Sequence, residues 1–204
     1  MKRLSRERIL DVAADLIERE GVAAVSMRRV GAELGVAAMS LYNHVPSKDA
    51  LLDGVAERVM SALDFADEPG ASWQDRGRTL VRAFRGVARA HPRCVQLALT
   101  RQAASPSALR PVEHALAIAE DAGFDGPTAV RIMRALISYA VGTIARETMF
   151  QQMIKHLPAE LPGQEFRRVR ALAGELVADD HDADFEFGLD LLISSITRLQ
   201  AADK

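Results

Sequence analysis

Between residues 26 and 44 the chain has little freedom, because two short stretches with helical apolar spacing are separated by Leu34-Gly35-Val36. Gly35 tolerates the left-handed backbone that closes a helix, so the pattern predicts two short helices joined by one tight turn, a helix-turn-helix. Ser26 stands where an N-cap hydroxyl accepts a hydrogen bond from an otherwise unpartnered backbone N–H, and Val25 with Val30 has the spacing of a hydrophobic staple. The second helix is expected over residues 37–43, with Leu41 turned inward beside Val36 and Val45. Ala38, Met39, Ser40, Tyr42 and Asn43 are then left facing outward. A helix this short and this small on its outer side fits a DNA major groove.

The flanks support that unit. Leu4, Ser5 and Ile9 take the N′, N-cap and N4 positions of an earlier helix, whose inner face is Ile9, Val12, Ala13, Leu16 and Ile17 and which Gly21 stops. Lys2, Arg3 and Arg6 at its start are equally consistent with a solvated terminus and with a basic arm on phosphate. After Pro46, Ser47 opens a fourth helix with Leu51, Leu52, Val55 and Val59 on one stripe, expected to reach Leu63. Residues 64–72 change composition abruptly around Pro69-Gly70, and the domain boundary is placed there: 1–63 before it, 64–204 beyond.

Beyond the boundary, helices are expected over 73–90, 94–103, 109–122, 128–153, 165–178 and 185–200, with residues 179–184 read as an acidic solvated turn. Hydrophobic content of 49% with only 5% aromatics suits packed helices better than strands, so the fold class is all-α. A net charge of −2 offers DNA phosphates no global attraction, and any nucleic-acid contact must rest on a local patch. The single cysteine, Cys94, sits among apolar neighbours and reads as a small core residue. Without a recognisable signal peptide, and with an uncharged run between Arg134 and Arg146 too short to cross a bilayer, the expectation is a soluble cytoplasmic protein.

No catalytic constellation stands out. There is no phosphate-binding glycine loop, no His-x-x-x-His pair and no Cys-x-x-Cys, and His181 among aspartates lacks ligand spacing, so no enzyme activity, metal or cofactor is assigned. Phe84, Leu97, Leu116, Met133, Ile137, Met149 and Met153 could line an apolar cavity, although core packing is the default for such residues. Arg146 and Glu147 either orient a ligand or form an ion pair on the helix surface.

The run from Ala37 to Leu51, with Leu41-Tyr42-Asn43-His44 followed by Lys48, closely resembles the recognition-helix signature of the tetracycline-repressor (TetR) family of bacterial transcription regulators. The match reaches back through Arg28 and Gly21 to Ile9. The resemblance implies an N-terminal helix-turn-helix domain followed by a helical domain for effector binding and dimerisation. It implies phosphate contacts from Tyr42, His44 and Lys48, base-edge contacts from Arg28, Ser40 and Asn43, and apolar contacts from Ala38 and Met39. In the family the last two long helices pair across a two-fold axis, which places Leu189, Leu192, Ile193 and Ile196 at a homodimer interface. The expected function is a repressor released from a palindromic operator by a small, largely apolar effector. The alternative is an all-α small-molecule-binding or enzymatic protein with a degenerate helix-turn-helix.

Overall fold

The computed structural model describes residues 3–66, 69–101, 106–154, 166–178 and 180–202, apart from the side chains of 106–108, 148–154, 177 and 202. Among the described residues every regular element is helical. The N-terminal unit comprises α1 (Arg6–Glu20), a 3-10 turn (Val22–Ala24), α2 (Met27–Leu34), α3 (Ala38–Tyr42) and α4 (Lys48–Ser61). Three serines in extended conformation start α1, α2 and α4: Ser5, Ser26 and Ser47 accept from the backbone N–H of Arg8, Arg29 and Ala50 at 3.3, 3.1 and 3.0 Å. The apolar sides of these helices close on one another, and Ile9, Leu16, Ile17, Val30, Leu41 and Leu51 lose all contact with solvent.

The body comprises α5 (Trp73–Ala90), α6 (Pro92–Thr100), α7 (Pro106–Asp121), α8 (Gly126–Ile154), the short α9 (Arg167–Ala171) and α10 (Ala173–Val177), and α11 (His181–Ala202). Several boundaries differ from expectation for identifiable reasons. Pro92 and Pro106 are the first residues of α6 and α7, a position where the missing N–H costs nothing, so each starts a helix that sequence reading began two or three residues later. The helix expected over 165–178 is broken at Leu172, since the residues around it are exposed and no buried face holds the two pieces in line. The supposed acidic turn is the start of α11: the Asp180 carboxylate accepts from the Ala183 N–H at 3.0 Å, and Asp182 and Asp184 fall in a first turn where the helix dipole favours negative charge.

One apolar core runs from the N-terminal unit into the body, through Val59 and Leu63 to Val81, Phe84, Cys94 and Leu97. The Glu18 carboxylate of α1 strengthens the junction by accepting from the backbone N–H groups of Cys94 (2.8 Å) and Arg93 (3.3 Å) at the start of α6. Cys94 itself is fully buried, and burial pushes its thiol well above the usual range. Deeper in the body the buried Arg85 guanidinium lies between Glu147 of α8 (2.8 Å) and Asp182 of α11 (2.7 Å), and over the Phe185 ring at 4.3 Å. Burial opposes its charge, but the two carboxylates more than compensate and raise its pKa. Glu147 is therefore committed to an ion pair, as is Arg146, which pairs with Asp184 at 2.9 Å. The stretch Gly126–Glu147 has the length and mean hydropathy to cross a bilayer, yet Arg131 and Arg134 lie exposed along it while Ala129, Ala140 and Thr143 pack inside.

Candidate nucleic-acid interface and internal cavity

The geometry of α2 and α3 starts from two glycines. Gly35 adopts the left-handed conformation (φ 68°, ψ 31°) and its neighbour Val36 donates its N–H to the Gly31 carbonyl at 2.9 Å. At Gly31 a Cβ would come within 2.9 Å of the Val36 carbonyl oxygen and 3.3 Å of the Ala38 nitrogen, so only a bare Cα lets the turn fold back this tightly. With Leu41 and Val45 locked inside, the rest of the recognition segment is presented outward: Met39 is 76% and Tyr42 45% exposed, Asn43, His44 and Lys48 are exposed, and Ala38 and Ser40 are half-buried.

Charge is distributed unevenly around this surface. Arg29 pairs with Glu20 (2.9 Å) and Glu33 (3.3 Å), and Arg19 with Glu33 (3.1 Å), so those arginines are neutralised behind α2. Arg28 and Lys48 are exposed and have no ion-pair partner among the described residues. Lys48 is also the first residue of α4, where backbone N–H groups and the helix dipole attract anions. Cations and hydrogen-bonding side chains around a protruding short helix can grip a phosphate backbone and reach base edges.

The far end of α4 meets a cavity of about 450 Å³. Its wall is formed by Met60 of α4, Leu63 just beyond that helix, Phe84 of α5, Ala98 of α6, and Met133 and Ile137 of α8, together with residues of α7 and α11. Of the expected lining, Phe84, Met133 and Ile137 are in place. Leu97 turns away into the main core, on the other side of α6 from Ala98, and Leu116 packs into a second cluster with Phe124 and Trp73, which themselves line the cavity. Met149 and Met153 lie outside the described side chains. The lining also includes Met60, Leu63 and Arg101, which the sequence reading missed; the first two continue the Leu52–Val55–Val59 stripe and were traceable from it.

Three of the four residues expected at the dimer interface face the interior of their own chain. Leu189, Ile193 and Ile196 are 0%, 2% and 9% exposed, packed within their own chain, and the latter two line the cavity; Leu192 is half-buried. The outward face of α11 instead carries Phe187 (70% exposed), Leu191 and Leu199. Both faces of this helix are apolar, so periodicity alone gives two stripes and cannot assign either to the core. Tyr139 fixes the choice: its hydroxyl donates to the Phe185 carbonyl at 2.7 Å, its ring stacks on Phe185, and it fills the space where a Cβ on Gly188 would stand. Among the described residues no group of His, Cys, Asp and Glu side chains is arranged to hold a metal ion.

A helix-turn-helix with an outward polar segment, joined by one helix to a cavity in an all-helical body, has the architecture of a one-component transcription regulator. The chain belongs to the TetR family: residues 9–55 match the family described as "Bacterial regulatory proteins, tetR family" and residues 66–199 the "Tetracyclin repressor-like, C-terminal domain". An HTH-type transcriptional regulator of Saccharopolyspora erythraea is 30% identical over 95% of this chain and 84% of its own length. Apo ActR from Streptomyces coelicolor superposes with a TM-score of 0.79 at 26% identity, covering all of both chains. ActR in complex with (S)-DNPA does so with a TM-score of 0.78 at 26% identity, covering 97% of this chain and 99% of that one.

Proposed function

We propose that the protein is a cytoplasmic, non-enzymatic repressor that binds a palindromic operator as a homodimer and leaves it when a small, largely apolar molecule enters the cavity. The observation that carries this reading is the span of α4. Lys48 stands at its first turn beside the recognition segment, Met60 in its last turn and Leu63 just beyond wall the cavity, and the 14 residues of the helix span about 20 Å. A ligand that moves the cavity wall moves the helix-turn-helix. Operator half-sites are fixed by the duplex, so a small change in the separation of two recognition helices removes simultaneous docking. The ligand complex of ActR supports the effector role.

In this reading residues 1–63 contact DNA and residues 64–204 bind the effector and dimerise. Tyr42, His44 and Lys48 take phosphates, Arg28, Ser40 and Asn43 take base edges, and Ala38 and Met39 take apolar contacts such as a thymine methyl. The two-fold contact is formed by the outward apolar face of α11, Phe187 and Leu191, with the small exposed residues Ala135, Ser138 and Gly142 of α8, which permit close approach. Ala98→Trp tests the cavity. Filling it should leave duplex binding in place and abolish release by the effector, as read by gel shift; full release from the variant would contradict the reading.

A further inference from the structure

Among the described residues, the cavity wall is apolar apart from one cation. Among its described lining residues only Arg101 carries charge, and it stands where α6 ends, as the residue after Thr100. Its side chain is about a quarter exposed and reaches across to α4. Nε donates to the Asp53 carboxylate at 2.5 Å, and a terminal nitrogen reaches the Asp49 carboxylate at 3.3 Å and the Asp49 carbonyl at 3.4 Å. Both aspartates belong to the first two turns of α4, one helical turn apart, and Asp49 directly follows Lys48. Arg101 thus touches the cavity on one side and clasps the DNA-facing end of α4 on the other.

That clasp does two things at once. It fixes the first turns of α4 to the end of α6, and it neutralises two carboxylates that would otherwise stand beside the phosphate backbone and repel it. A guanidinium at an apolar wall binds a carboxylate in bidentate fashion with roughly twice the strength of a neutral hydrogen bond. An effector's own carboxylate would compete directly with Asp49 and Asp53.

We propose that Arg101 is an ion-pair switch and that the effector class is an organic anion, an apolar body bearing a carboxylate. The effector acid takes the guanidinium from Asp49 and Asp53. The α4–α6 clasp opens, and the two freed aspartates add negative charge next to Lys48. This rests on the cavity being the effector site, and the test separates the two claims.

Trp73 is the chain's single tryptophan and lines the cavity, so its emission reports occupancy in the full-length protein without a label. Decanoate and decan-1-ol share a body and differ in the charged group. Decanoate should bind about tenfold more tightly than decan-1-ol and should lower the affinity for a mixed-sequence duplex, while decan-1-ol leaves duplex affinity unchanged. Arg101→Gln should lose the preference for the acid while keeping its affinity for the alcohol, and Arg101→Lys should retain part of it. Without ligand, Arg101→Gln should bind the duplex several-fold more weakly, and Asp49→Asn with Asp53→Asn should restore binding in that background. Equal affinity for acid and alcohol in the wild-type protein would overturn the switch while leaving the cavity reading intact. A preference for the acid that survives Arg101→Gln would do the same. No change in Trp73 emission with either compound would overturn both claims.

Discussion

The N-terminal unit and the body solve the packing problem differently. In the unit, five short elements close on a core of fully buried side chains, α1, α2 and α4 are each started by a serine whose hydroxyl is used, and the turn is so tight that Gly31 admits no Cβ. In the body, longer helices surround a cavity of about 450 Å³ and are tied together by a buried ion-pair group centred on Arg85. The rigid part presents a fixed shape to a fixed partner. The hollow part retains free volume at its centre, and the two share the helix α4. Position is held where geometry must be constant, and space is kept where occupancy must change something.

Substitutions can break or sharpen this contrast. Arg85→Ala should have the largest effect, about 3–5 kcal/mol, because it removes the buried counter-charge of Glu147, 12% exposed, and leaves it only the half-exposed Arg89 at 3.5 Å. Urea unfolding measures it, and Arg85→Met with Glu147→Leu should recover most of the loss. Leu41→Ala in the unit should cost about 2–5 kcal/mol by opening a hole in a solid core, whereas Ile137→Ala at the cavity wall should cost only about 1 kcal/mol, since the space beside it already exists. Equal losses for these two would remove the distinction between a solid and a hollow half. Gly31→Ala should cost about 1–3 kcal/mol through overlap with the Val36 carbonyl, visible as a lower Tm together with weaker duplex binding. Ser26→Ala should lose about 1 kcal/mol by removing the hydrogen bond to the Arg29 N–H.

The same contrast explains what the sequence disclosed. In the unit the decisive signals are local: Ser5, Ser26 and Ser47 cap helices a few residues away, Gly35 ends α2 in the left-handed conformation, and the Leu41–Val45 spacing fixes which side of α3 faces in. In the body the decisive contacts are distant. Leu189, Ile193 and Ile196 read as partner-facing because α11 carries more than one apolar stripe, and distant contacts orient it: Tyr139 on Phe185 and Gly188, Arg82 with Glu186 and Arg78 with Asp190. Asp182 and Asp184 read as part of a solvated turn because the arginines they meet, Arg85, Arg89 and Arg146, lie dozens of residues earlier. Arg101 gave no sign in sequence of facing both a cavity and α4, since that depends on where α6 ends. Leu97 illustrates the remaining ambiguity: an apolar residue on a lining helix can still point to the other side.

The central claim is that α4 carries a phosphate contact at one end and a cavity wall at the other. Duplex affinity measured across a salt series for the wild-type protein and Lys48→Ala tests its DNA end directly. Losing one phosphate contact per recognition unit should weaken binding to every duplex alike and lower the slope of log affinity against log salt by about one for each Lys48 lost. Identical affinities and slopes for the two proteins would contradict the account.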